Sequence, residues 1–233
     1  NTINFTVNAG ATLQMAALLT TITGDGSFTL SSGATLGVTA ALGITTGGTG
    51  NIQVTGTRTY SSGANYIYNG TTGQVVGNGL TQNTPGNLTI NNPGNTVQLN
   101  NTTSISGSLT ITNGTFNANG QTFTAGGLAS VNGVGSTYQA STNTQALNGG
   151  LTIAGGTFTG STGTVSVTNL TLSSGTLSAP SGTFNISGDW TRSGGTFTPG
   201  VNTVTFTGAG TQNLNSGGSS FNNVSHTGAG GFA

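Results

Sequence analysis

The sequence predicts an all-β chain wound as a β-solenoid, a parallel β-helix with turns of about 20 residues. Three observations predict it. One short phrase recurs along the chain, its apolar residues alternate with threonine, and glycine-bearing turns separate one copy from the next.

The phrase is apolar-Thr-apolar, then two or three small residues, a glycine, and Thr with another apolar residue. It stands at Phe5-Thr6-Val7, followed by Gly10 and Leu13, and at Phe28-Thr29-Leu30, followed by Gly33 and Leu36. Further copies begin at Leu109, Leu151, Leu170 and Trp190, with a looser one at Leu88. Their spacing is about twenty residues, or twice that between Leu109 and Leu151, where Leu128 marks the intermediate turn. Helical spacing of apolar residues is found at most over residues 11–19. An antiparallel β-sandwich array is the competing arrangement, because it also joins short strands by frequent turns. It does not require one phrase to return in register. Residues 1–233 therefore read as a single solenoid segment.

Alternation sorts the side chains into an inner and an outer set. Phe116, Phe158, Leu177 and Phe197 hold equivalent places and form a candidate core ladder, while the threonines line up outside in rows. Residues 57–80 disturb the rhythm and read as an irregular loop or extra turn, and residues 215–233 read as a polar tail.

Composition then limits function. Only 2% of the residues are charged: Asp25, Arg58, Asp189 and Arg192. Binding to a phosphate backbone needs a basic stripe, so nucleic acid is excluded as a partner. No apolar run is long enough to span a bilayer as a helix, and no membrane insertion is expected. The absence of cysteine removes disulfide, thiolate-zinc and thiol chemistry. Hydrolysis on a β-helix calls for clustered carboxylates, and this chain has two, far apart. Asp25 lies in Gly24-Asp25-Gly26, a turn rather than a calcium site, which would need several oxygen ligands. Asp189 and Arg192 flank Trp190 and read as a surface ion pair; His226 has no carboxylate beside it. The expectation is a protein with no catalytic residue, no metal and no cofactor.

Three surface features remain. Tyr60, Tyr66 and Tyr68 could stack on sugars, although covering the core is the plainer role for them. Rows such as Thr157-Phe158-Thr159 and Thr196-Phe197-Thr198 have the form of an ice-binding array, but unequal turn lengths should spoil its regularity. Acceptor patterns for N-glycosylation are numerous, as chance alone would make them in a chain this rich in Asn and Thr.

Phrases such as Tyr66-Ile67-Tyr68-Asn69-Gly70-Thr71, Asn87-Leu88-Thr89-Ile90-Asn91-Asn92 and Gly188-Asp189-Trp190-Thr191 resemble the β-strand-repeat regions of large secreted adhesin-like surface proteins of Bacteroidota. The resemblance implies a β-helical fold, an extracellular or cell-surface location and an adhesive or fibre role, with no catalytic residues. The expected function is thus a non-enzymatic structural or adhesive segment of a surface fibre or giant adhesin. A glycan- or host-surface-binding module and an ice-binding solenoid are the alternatives. The expected partners are copies of the chain, or flanking segments of a longer one, stacked end to end, with glycans as a further class. The start at Asn1 and the absence of a charged cap at either end fit a piece of something longer.

Overall fold

The computed structural model describes residues 2–16 and 20–233. The chain is a parallel β-solenoid. Among the described residues every strand pairing is parallel, which excludes the antiparallel sandwich. The helical spacing near residues 11–19 does not produce a helix over Thr12–Gln14, which is a strand; residues 17–19 lie outside the described residues. The one helical element among the described residues is a 3-10 turn at Leu80–Gln82.

A typical turn has three short arms. In one, Leu109–Asn117 is a bent strand carrying two arms, and Phe123–Ala125 supplies the third. Like arms of successive turns pair in three ladders. The first runs through Leu13, Leu36, Tyr66, Leu88, Leu109, Ala129, Leu151, Leu170, Trp190 and Leu214. These ten rungs, at the usual strand separation, make a body on the order of 45 Å long. The intermediate turn is marked by Ala129 and not by Leu128, which is one position out of phase and exposed.

The second ladder carries the core row anticipated from sequence and adds to it. Val97, Phe116, Tyr138, Phe158, Leu177 and Phe197 pair in that order. Tyr138 lies 5.2 Å from Phe116 and 4.9 Å from Phe158, ring centre to ring centre. Its hydroxyl donates to Gln145 Oε1 at 2.7 Å, which is how a tyrosine fits a phenylalanine row. Phe197 ends the row half-buried, and Phe221 covers it at 5.2 Å.

Two other expectations are corrected. The irregularity lies earlier than residues 57–80: Arg58–Tyr60 pairs with Phe28–Leu30, and Asn65–Tyr68 pairs with Thr35–Val38, as an ordinary turn. The added residues are in the preceding turn, where an excursion over 45–51 leads into Ile52–Val54, which pairs with Ile22–Gly24 as a fourth side. The polar tail, for its part, is a further turn. Asn223–His226 pairs with Thr203–Phe206, Leu214–Asn215 pairs with Trp190–Thr191, and Phe232 bridges to Gln212.

Corners hold by side-chain carboxamides. Asn65 Oδ1 accepts from the Asn87 N–H at 2.8 Å, Asn87 Oδ1 from the Ser108 N–H at 2.8 Å, and Asn169 Oδ1 from the Asp189 N–H at 2.8 Å. Inside, buried Gln74 joins three turns, donating to the Val38 and Ala40 carbonyls and accepting from Gly70 N–H and Asn92 Nδ2. Burying so polar a group is tolerable because its bonds are made.

Candidate functional site

The titratable residues are dispersed and each has a local structural task. Asp189 continues the corner series, accepting from Asn213 N–H at 2.8 Å and Nδ2 at 3.3 Å. Arg192 takes the inward register of Leu172 and turns its guanidinium to the Gly195 and Gly217 carbonyls, both at 2.5 Å. Asp189 and Arg192 do not form the surface ion pair their spacing suggested; the partners are backbone and carboxamide groups. Arg58 donates to the Ile52, Thr46 and Val54 carbonyls and secures the excursion. Asp25 sits on an exposed turn near the Thr55 hydroxyl, 3.5 Å away. His226 takes the inward register of Phe206 and packs on Phe232 at 4.9 Å. Among the described residues no three His, Asp or Glu side chains gather in a way that could hold a metal.

Tyr60, Tyr66 and Tyr68 are brought together, but inside. Their exposures are 2%, 1% and 0%. Tyr68 donates to the Val76 carbonyl at 2.5 Å, and desolvation raises all three phenols above their ordinary value, Tyr60 to about 12. A sugar-stacking platform needs exposed rings, so these three cannot supply one. The alternation of Tyr66 and Tyr68 with Asn65 and Ile67 on Asn65–Tyr68 is the sequence signal that points those two rings inward.

What lies outside is a regular polar surface. On the second ladder Thr96, Thr115, Thr137, Thr157, Thr176 and Thr196 follow one another in one-to-one register. Beside them runs a second rank: Gln98, Asn117, Gln139, Thr159, Ser178 and Thr198. Unequal turn lengths do not spoil this array, contrary to the expectation from spacing. The register shifts fall at the corner before it, between Ile90 and Thr96 and between Ile153 and Thr157. The six threonines and, in the second rank, Gln98, Gln139, Thr159, Ser178 and Thr198 make no side-chain hydrogen bond within the described residues.

The third ladder is less even. Its outward positions run Ser104, Thr124, Ala146, Ser166, Asn185, Thr205 and Ser225. An open hollow of about 380 Å³ beside it is lined by Ser181, Gly182, Thr183, Asn202, Thr203 and Thr205, with neither a charge nor an aromatic ring.

Fold and surface together define a three-sided parallel β-solenoid with a nearly uncharged, hydroxyl- and amide-covered exterior. Comparison with protein-family models, with curated proteins and with solved structures found no match. No helix of the described residues is long and apolar enough to cross a membrane.

Proposed function

We propose that the chain is a non-enzymatic structural or adhesive segment of an extracellular surface fibre or giant adhesin. The observation that supports this reading most is the unbroken stacking of like arms along one axis, from Leu13 to Leu214, around a core that contains the aromatic mass. Such a body acts as a stiff spacer: backbone hydrogen bonds join every turn to the next, and stacked side chains resist bending. Arg58, Asp189 and Arg192, each bonded to backbone groups, serve the same end.

Partners in this reading are copies of the chain or flanking segments that continue the ladders end to end. Strand edges such as the outer side of Phe5–Val7, which pairs on one side with Phe28–Leu30, would take another strand by the same parallel bonding. Electron microscopy of the purified chain and of covalent tandem copies tests the proposal. Straight rods that lengthen by a constant increment per copy are expected; flexible beads would overturn it. Sedimentation across a wide concentration range tests self-stacking separately, and a strictly constant monomer would confine the stacking to covalent neighbours.

A further inference from the structure

We infer that the second ladder is a lattice-binding face, and that the lattice is ice. The argument starts from what a crystalline surface demands. It offers the same few atoms at fixed intervals in two directions, so a protein face binds it only if its own groups repeat with equal regularity and do not move. The second ladder meets both demands. Six threonines repeat once per turn at about the 4.8 Å strand spacing. The second rank lies two residues further along each strand, and over the last three turns it too is hydroxyl-bearing: Thr159, Ser178 and Thr198.

Rigidity comes from beneath and from within. The strand positions between the two ranks are the buried row Phe116, Tyr138, Phe158 and Leu177, so the backbone under the array is anchored at each turn. Threonine is stiff at χ1, and close neighbours above and below restrict it further. Little entropy is then lost when the hydroxyls and methyls engage ordered water. The hydroxyls are also free to do so, since they form no side-chain hydrogen bonds within the described chain. Corner bulges take up the difference in turn length just before the array and keep it regular.

Ice is favoured over a crystalline polysaccharide by what the face lacks. Its two ranks hold Thr, Ser, Asn and Gln and no aromatic residue, because the rings of this ladder point into the core. Sugar rings are gripped largely by stacking on such rings, whereas a water lattice needs none. Neither rank contains a charged side chain that would hold a disordered hydration shell.

The test uses the whole 233-residue chain. Ice recrystallisation and partition into a slowly growing ice front are measured for the unmodified protein, for Thr176→Arg on the second ladder, and for Thr171→Arg and Ser166→Arg on the first and third. Far-ultraviolet circular dichroism and the melting temperature are followed in parallel. The unmodified protein is expected to enter the ice and slow recrystallisation. Thr176→Arg should lose both effects with its β spectrum intact, and the other two variants should keep them. Exclusion of the unmodified protein from ice overturns the inference, as does equal loss in all three folded variants. Retention on cellulose or chitin powder with no partition into ice would reassign the face to a polysaccharide. Should Thr176→Arg fail to fold, Thr176→Val, which removes only the hydroxyl and keeps the shape, takes its place and should weaken partition.

Discussion

Replacing Phe158 by Asp tests the inside/outside assignment most directly, because its neighbour Thr159 provides a control one residue away. Phe158 is fully buried in the ladder between Tyr138 and Leu177, with its ring 4.9 Å from that of Tyr138. Truncating a ring so placed costs about 3–5 kcal/mol, since the neighbouring turns can close the gap only in part. A carboxyl group in that gap adds several kcal/mol more, whether it stays charged or takes up a proton. Whole domains are stable by about 5–15 kcal/mol, so Phe158→Asp should unfold at least the turns on either side. Thr159 points outward and is exposed; Thr159→Asp should shift stability by no more than about 0.5 kcal/mol. Urea unfolding followed by far-ultraviolet circular dichroism compares the two. Equal midpoints would refute the assignment and with it the reasoning from alternation.

Glycine replacements separate two causes of strain. Gly114 and Gly120 both have positive φ, +84° and +72°, but a Cβ on Gly114 would lie 2.2 Å from the Asn92 carbonyl oxygen, whereas none lies within 4 Å of one on Gly120. Gly120→Ala should cost about 1–2 kcal/mol from backbone conformation alone, and Gly114→Ala distinctly more, as read from thermal melting. Gln145→Leu should cost about 1–3 kcal/mol by leaving the Tyr138 hydroxyl unsatisfied, and adding Tyr138→Phe should recover part of the loss in the same denaturation assay. Desolvation raises all four tyrosines above their ordinary value, Tyr60 to about 12. Phenols of the unfolded chain ionise near 10, so this contribution to stability is complete below pH 10 and is lost as pH rises through the folded values. Ultraviolet titration of the folded protein should show no ionisation step near 10, and the melting temperature should fall once the pH exceeds it.

The sequence by itself determined the class of fold, because a parallel solenoid writes its geometry locally. Alternation in Leu109-Thr110-Ile111 or Thr157-Phe158-Thr159 states which side chains are buried, and the return of the phrase states that like sits on like. The ladder members Phe116, Phe158, Leu177 and Phe197 were legible for that reason. Tyr138 was less so, because the shift between Val131 and Asn132 puts Ser136-Thr137-Tyr138 at a different distance from its phrase. Length differences were where reading from spacing failed. A count of residues per turn cannot say at which corner the extra ones sit, and so spacing points to Leu128 where the register has Ala129, and to a widened turn at 57–80 where the structure has the excursion over 45–51. Hydrogen bonding between turns decides that question, since it fixes register strand by strand and leaves the corners to absorb the remainder. The same bonding decided the fate of the polar and ionisable residues. Asp189, Arg192, Gln74 and Gln145 find partners 24 to 36 residues away, on neighbouring turns that only stacking brings within reach. The even face of Thr96 through Thr196 likewise exists only after the bulges have been taken up, because its regularity belongs to the register and not to the spacing.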